Sequence, residues 1–212
     1  MEPPPKKPRQ YADKVLRWGP PAVPFRLLLQ GDSKLVINWL NGTWTPSDNY
    51  VTEYVSMLHV MLGSLHDRGV KPMCDDEDVA HHLPREGNVA ADLLCKMPTG
   101  MCTLHLPLFA AVHTFNNFIV RFDGSKNKRT GFCSCAFIIY GSHQVAANTA
   151  ELTTILVGSW QLPATCKVID AELAGCCMGL RAILALATSK LRGFIWETHI
   201  PRVVHRPLER DH

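Results

Sequence analysis

The chain has 212 residues, of which 46% are hydrophobic and 19% are charged, and its formal net charge is +3. This much apolar material can form a core, so the composition excludes a wholly disordered chain. The mild charge permits a polyanionic partner without requiring one. The eight cysteines include no Cys-x-x-Cys pair, which leaves a zinc ribbon unsupported. No apolar run reaches the ~18 residues of a membrane span, so we expect no membrane association.

The first segment, residues 1–24, is rich in proline and carries a basic cluster, KKPR, at residues 6–9. Such a composition predicts an extended, solvated arm. KKPR also fits a minimal nuclear-import signal, although so short a motif often occurs by chance. The opening MEPPPKKPRQ has no apolar signal-peptide segment, which favours an intracellular protein with reduced thiols, in the nucleus or the cytoplasm.

The next segment, residues 25–96, predicts a strand followed mainly by helices. FRLLLQ at residues 25–30 is typical of a buried strand, and the polar GDS follows it directly. The pattern of apolar residues then predicts helices at residues 34–42 and 48–66. It also predicts a weak strand at residues 78–83 and a short helix at residues 85–96. In the last of these helices we expect Val89 and Leu93 to face the core.

Residues 97–117 predict a connector to a second segment, residues 118–187. We predict strands at residues 118–125 and 131–142, followed by a stretch at residues 143–160 that fits either a strand or a helix. Residues 168–187 are rich in Ala and Leu and predict a helix. The tail, residues 188–212, contains FIWETHI, which fits an edge strand, and has a basic end. Strands interleaved with helices predict an α/β fold with a mixed sheet and helices on its faces.

Four carboxylates stand where such a fold forms ligand sites. Asp32 and Asp123 each close a predicted strand, and Glu172 and Asp92 lie in predicted helices. Open α/β sheets bind ligands beyond the carboxyl ends of their strands, and an oxygen-rich pocket there suits Mg²⁺. Each residue alone is more often a turn, a cap or a solvated side chain, so the hypothesis depends on their convergence.

The segments around these carboxylates resemble motifs of the ribonuclease H family. GDSKLVINWLNG at residues 31–42 is similar to the family's fourth-strand aspartate and following helix. HLPREGNVAAD at residues 82–92 is similar to its closing motif, in which a histidine lies ten residues before the last metal-binding aspartate. FDGS at residues 122–125 resembles its first strand, and DAELAGCCMGLRAI at residues 170–183 resembles its first helix.

This resemblance implies a ribonuclease H-like mixed five-stranded sheet and an endonuclease that hydrolyses the RNA strand of RNA–DNA hybrids. It implies two Mg²⁺ ions as cofactors, with Mn²⁺ as a substitute. Asp123 would bridge both ions, and Asp32 and Glu172 would complete the first site. Asp92 would complete the second site, and His82, on a mobile loop, would assist proton transfer or product release.

The resemblance also implies recognition of an RNA strand by its 2′-hydroxyls and phosphates. Polar and basic side chains near the motifs are the candidate contacts: Ser125, Asn127, Asn148, Lys34, Lys126, Lys128 and Arg129. A basic turn such as KNKR is more often simply solvated, so these contacts are weaker predictions than the carboxylates.

The motifs stand in permuted order, because the family's second half, residues 25–96, precedes its first half, residues 118–187. Three explanations fit: a circular permutant, a slice of a tandem array, or two copies that exchange halves as a swapped dimer. The 21-residue connector could extend to ~70 Å, well beyond the ~13–16 Å radius of gyration of such a domain. We therefore favour a monomeric permutant over the half-swapped dimer.

Two other functions are compatible with the sequence. The rearranged order fits a catalytically inactive nucleic-acid-binding or retroelement-derived remnant of the same fold. A related nuclease, such as an exonuclease or a transposase-like enzyme, would share the carboxylates. PREGNVAAD with its upstream histidine favours the ribonuclease H assignment over that enzyme, and four carboxylates facing a polyanion argue against a pure binding protein.

Overall fold

The computed structural model describes residues 25–73, 78–104, 115–142 and 152–187. These residues form seven strands and four α-helices: β1 (Arg26–Gly31), α1 (Lys34–Leu40), α2 (Asn49–His66), β2 (Lys71–Pro72), β3 (Ala80–His82), α3 (Val89–Lys96), β4 (Met101–Leu104), β5 (Asn117–Lys126), β6 (Cys133–Ser142), β7 (Thr153–Leu162) and α4 (Val168–Ala187). None of the helices in these ranges has the length and apolar character needed to cross a bilayer.

All the strands belong to one mixed sheet, in the order β2–β1–β5–β6–β7–β4, with β3 also paired to β1. Strand β1 runs parallel to β2, β3 and β5, whereas β5, β6, β7 and β4 form antiparallel pairs in that order. The predicted α/β class with a mixed sheet is therefore confirmed, but the described residues form seven strands where five were expected, since the short strands β2, β3 and β4 add to the sheet. At the β1–β5 junction Gln30 is paired with Arg121, so two distant segments of the chain meet in the middle of the sheet.

The two faces of the sheet are covered by different helices. Alternate residues of β6, such as Phe137 and Ile139, belong to the main core together with α2 and α4. Residues of the other parity face α3: Ser134 donates a hydrogen bond to it, and Ile138 and Tyr140 line a groove beside it. Because side chains alternate along a strand, α3 and α4 lie on opposite faces of the central strands.

Helix α4 lies unusually close to β5 because glycines stand at the contact. A Cβ atom at Gly124 would lie 2.1 Å from the backbone nitrogen of Glu172, and one at Gly175 would lie 2.8 Å from the carbonyl oxygen of Asp123. A gap this small admits no side chain. The glycines therefore allow the start of α4 to rest directly on β5, which places Glu172 beside Asp123.

The predicted helix over residues 85–96 differs from the structure in its first turn and in its buried face. Arg85–Gly87 forms a single 3₁₀ turn, and α3 begins at Val89. Val89 and Leu93, which were expected to face inward, are 49% and 48% exposed. The buried residues are Ala91 and Cys95, because the helix packs closely on the sheet through small side chains and not through its larger apolar ones.

The predicted connector also contains structure. Met101–Leu104 forms the edge strand β4, antiparallel to β7, so part of residues 97–117 extends the sheet. The ambiguous stretch after residue 142 contains a strand, Thr153–Leu162, which resolves the choice between strand and helix for that part. The arm over residues 1–24 and the tail over residues 188–212, with its expected edge strand, lie outside the described residues.

Replacement of Gly124 by alanine tests the close contact between α4 and β5. We expect Gly124→Ala to lower the free energy of unfolding by at least about 2 kcal/mol, because the new methyl group overlaps the Glu172 backbone. The matched control is Gly63→Ala on the exposed side of α2, where nothing lies within 4 Å of the added Cβ. That change should stabilise the protein by about 0.5–1 kcal/mol. Urea denaturation measures both, and equal effects would contradict the packing described.

Candidate metal centre

Three carboxylates from separate elements converge at one place. Asp32 follows β1 directly, Asp123 lies within β5, and Glu172 lies in the first turns of α4. One oxygen atom from each can be chosen so that all three lie within 4.8 Å of one another. We call these three residues the acidic triad. The parallel register explains part of the geometry, since Gln30 pairs with Arg121 and Asp32 therefore comes level with Asp123.

Two glycines make room for the acidic triad. A Cβ at Gly31 would lie 2.7 Å from the ring of Phe122, so only glycine lets β1 run past that ring to Asp32. Gly124 has no side chain between Glu172 and Asp123, and its backbone N–H donates a hydrogen bond to the Glu172 carboxylate. Gly124, the glycine of FDGS, thus serves the site in two ways. Its N–H group binds the Glu172 carboxylate, and its missing side chain leaves room for Glu172 beside Asp123.

The acidic triad is strongly shielded from water. Asp123 and Glu172 are 4% and 6% exposed, and Asp32 is half-buried. Burial, followed by the charge of Asp32, raises the pKa of Asp123 to about 7. Burial, followed by the charges of Asp123 and Asp32, raises the pKa of Glu172 to about 9. The fold therefore holds these carboxyl groups where full ionisation is unfavourable without a compensating cation.

A divalent cation fits the acidic triad. Oxygen Oε2 of Glu172 is buried and has no hydrogen-bond partner, although a buried acceptor normally has one. Carboxylate oxygens are the ligands that Mg²⁺ and Mn²⁺ prefer, and a cation would offset the repulsion among the three side chains. The structure thus brings together Asp32, Asp123 and Glu172 as residues that could hold one metal ion.

Asp92, the fourth predicted carboxylate, lies beside the acidic triad and not within it. Its charge contributes to the raised pKa of Asp123, after burial and Asp32, which places it near the triad. Its Oδ2 forms an ion pair with Lys96 Nζ at 2.6 Å, and its Oδ1 lies 3.9 Å from Arg85 Nη2. Asp92 is therefore already paired with cations of the chain itself.

Three polar side chains that the sequence did not single out hold α3 against the sheet. Asn88 Nδ2 donates to the carbonyl oxygen of Phe122 at 2.9 Å, and Cys95 Sγ donates to that of Asp123 at 3.3 Å. Ser134 Oγ donates to the carbonyl oxygen of Cys95 at 2.6 Å. The sequence does place Asn88 at the start of a helix, but an asparagine at that position usually caps its own helix. Here its amide instead binds the neighbouring strand.

His82 lies at the edge of the site. It is the last residue of β3, and its Nε2 lies 3.1 Å from the backbone carbonyl oxygen of Asp32. The side chain is exposed to solvent. The structure thus places the predicted histidine next to the acidic triad, at the end of a short strand. Its neighbour His81 is half-buried and offers less access to a ligand.

The predicted nucleic-acid contacts fall into two groups. Lys126 Nζ donates to the carbonyl oxygens of Ala164 and Cys166, which ties it to the loop before α4. Asn127 Oδ1 accepts hydrogen bonds from the backbone N–H groups of Arg129 and Thr130 and so shapes the β5–β6 turn. Both side chains therefore have structural roles in the free protein.

The other predicted contacts are more accessible. Lys34 is exposed at the start of α1, two residues after Asp32, and Lys128 is exposed on the β5–β6 turn with Arg129. Ser125 is half-buried and lies two positions after Asp123, so it shares that residue's face of β5. Asn148 lies outside the described residues.

The chain matches no protein-family model, no curated protein and no solved structure. A function must therefore be inferred from the residues and contacts of the chain itself. The motifs that resemble the ribonuclease H family are short, and three of them supply the carboxylates that meet in the acidic triad.

Glu172→Gln tests the electrostatic state of the metal-free site. The pKa of Glu172 is raised from its ordinary value of 4.5 to about 9, so the folded state binds a proton more tightly than the unfolded state. The free energy of unfolding should therefore fall as pH rises through that interval, and glutamine should abolish the Glu172 contribution. At pH 8 without metal we expect Glu172→Gln to be more stable than the wild type by about 1–3 kcal/mol.

Thermal or urea unfolding at pH 5 and pH 8, with and without Mn²⁺, measures this effect. At pH 5 the advantage of glutamine should largely disappear, and added Mn²⁺ should stabilise the wild type more than the variant. Glu53→Gln, at an exposed position of α2, is the matched control and should show neither effect. A wild type whose stability is flat across this pH range would contradict the raised pKa values.

Proposed function

We propose that this chain is a metal-dependent nuclease of the ribonuclease H type, which hydrolyses the RNA strand of RNA–DNA hybrids. The single observation that carries the proposal is the convergence of Asp32, Asp123 and Glu172 in one chain. These residues come from three segments, and each of those segments resembles the family motif that holds a metal-binding carboxylate. Chance would rarely give both the motifs and their meeting point.

The sheet topology supports a circularly permuted ribonuclease H-like fold. The segments that resemble the family's first and fourth strands are β5 and β1, which are parallel neighbours at the centre of the sheet. Backbone hydrogen bonds make that junction, so it needs no particular chain order. One chain can supply the whole acidic triad, so the site does not require a half-swapped dimer.

The side chains suit hydrolysis of a phosphodiester. Divalent ions, when bound, would supply an activated water and stabilise the charge on the phosphate oxygens. Asp123 would be a ligand of the bound ions. Asp32 and Glu172 would fix the position of the ion that they share with Asp123. Gly124 N–H holds the Glu172 carboxylate in position, and burial excludes bulk water from the ligand oxygens.

His82 can move a proton at the rim of the site. Its imidazole is exposed, and the contact between Nε2 and the Asp32 carbonyl keeps the ring next to the carboxylates. A proton carried on this ring can pass to the leaving oxygen or to solvent. The same exposed position at the rim of the site suits release of the product.

The substrate surface extends from the acidic triad along β5 and α1. Ser125 would meet a 2′-hydroxyl, and Lys34, Lys128 and Arg129 would meet phosphates. Lys126 and Asn127 contribute by shaping the turn that carries two of these cations. Asn148 stays a prediction from the sequence.

A second candidate function is a catalytically inactive protein that binds hybrids through the same surface. The ion pair between Asp92 and Lys96 favours it, because that pair leaves the second metal site without a free carboxylate. A chain limited to one metal ion could bind nucleic acid without cleaving it. Hybrid binding without turnover in Mg²⁺ or Mn²⁺ would support this candidate.

Asp123→Asn tests the proposed activity. With a labelled RNA–DNA hybrid and Mg²⁺, we expect the variant to cleave at least about 10³-fold more slowly, since it loses the central metal ligand. Asp67→Asn, on the exposed side of the chain after α2, is the matched control and should keep the wild-type rate. Equal cleavage by wild type and Asp123→Asn would rule out the assignment, as would cleavage of single-stranded DNA in preference to the hybrid.

His82→Ala tests the proton-transfer role. We expect kcat to fall about 10²-fold while hybrid affinity stays unchanged, because the ring acts on the reacting oxygen and not on substrate binding. The pH dependence of kcat should also lose one limb. His66→Ala, at the exposed end of α2, serves as the control. An unchanged pH profile in His82→Ala would assign the proton transfer to another group.

A further inference from the structure

We propose that Lys96 is a built-in counter-cation for Asp92, so that the free protein binds one divalent ion tightly and a second only by displacing the Lys96 ammonium group. This inference rests on the proposed metal-dependent nuclease. It concerns the regulation of that site and names a residue, Lys96, that no motif singled out.

The geometry separates the acidic triad from Asp92. The triad has three carboxylates that face one another and a buried, unpartnered oxygen on Glu172, which together provide a site for one ion. Asp92 lies outside this group, and Lys96 Nζ stands 2.6 Å from its Oδ2. The two ions of a two-metal site would therefore meet very different surroundings.

The charges make the same distinction. The three ligands of the triad are all acidic, so an incoming cation meets no ammonium group among them. Asp92 and Lys96 together are neutral, and the ammonium group would repel a cation that approached Asp92. Arg85 adds a second, looser contact at 3.9 Å. The second ion must therefore compete with a cation that is covalently part of the chain.

Lys96 is also free to leave. Its side chain is 56% exposed, whereas that of Asp92 is 17% exposed, so the ammonium group can turn to solvent while the carboxylate stays in place. The two residues are one helical turn apart on α3, a spacing at which ion pairs are weak. A substrate phosphate near the site would attract Lys96 and free Asp92. Hybrid binding and uptake of the second ion are thereby coupled.

Direct counting of bound Mn²⁺ tests this inference without any cleavage assay. Room-temperature electron paramagnetic resonance reports free Mn²⁺, and titration at pH 8 and low ionic strength gives the number and affinity of the ions bound. We expect one tight and one weak site in the wild type. In Lys96→Met the weak site should tighten about tenfold, the effect of removing a unit charge about 6 Å from a divalent ion in water, while the tight site should not change.

Three further variants make the result specific. Lys96→Arg keeps the positive charge and should keep the wild-type weak site. Asp92→Asn should lose the weak site and retain the tight one. Lys71→Met removes an exposed charge on β2, at the opposite end of β1 from Asp32, and should leave both sites unchanged. Circular dichroism confirms that each variant is folded.

Several outcomes overturn the inference. The inference fails if the weak Mn²⁺ site has the same affinity in Lys96→Met as in the wild type. It also fails if the wild type binds two Mn²⁺ ions with equal affinity. The proposed function is judged separately, by hybrid cleavage with the same preparations. If the ion counts come out as expected and the hybrid is not cleaved, the nuclease proposal fails and the role of Lys96 stands. If the hybrid is cleaved and Lys96→Met does not change the affinity of the weak site, the inference about Lys96 fails and the nuclease proposal stands.

Discussion

The parallel pairing of β1 with β5 is the contact on which the rest of the molecule depends. It joins two segments whose hydrogen-bonded side chains, Gln30 and Arg121, are 91 residues apart in sequence. It also brings Asp32 level with Asp123 at the centre of the sheet. Without it, neither segment would have a complete sheet, and the carboxylates would be surface residues of two unrelated halves. Backbone hydrogen bonds, which carry no information about chain order, are sufficient to make this junction.

The acidic triad depends on a second constraint, the close approach of α4 to β5. Gly124 allows this approach, and its N–H is the one polar contact that opposes the raised pKa of Glu172. The fold thus concentrates negative charge in a buried place, where burial and mutual repulsion both disfavour ionisation. Such a site gains more from a cation than an exposed cluster would, since water screens an exposed cluster already. Stability, pH and metal binding are therefore coupled through the same three side chains.

Much of this could be predicted from the sequence. An apolar run identified β1, helical spacing identified α1 and α2, and an Ala- and Leu-rich composition identified α4. Strand-end positions and the family resemblance identified the carboxylates of the triad. The inward face of α3 was predicted wrongly, because hydrogen bonds from Asn88 and Cys95 to strand carbonyls set its orientation more strongly than hydrophobicity does. Strand β4 is too short to show a pattern. The spacing of Asp92 and Lys96 was visible, but whether Asp92 binds Lys96 or a metal depends on distances that only the folded chain provides.

The position of the β1–β5 junction has a consequence for biosynthesis. Residues 25–96 leave the ribosome before β5 exists, so the edge of β1 that will face β5 waits with unpaired N–H and C=O groups. At ~5–20 residues per second, the 91 residues between Gln30 and Arg121 take about 5–20 s to synthesise. An unpaired apolar strand is prone to pair with other chains during such an interval. The late arrival of β5 thus exposes the nascent protein to aggregation, and the acidic triad can form only after Glu172 has been synthesised.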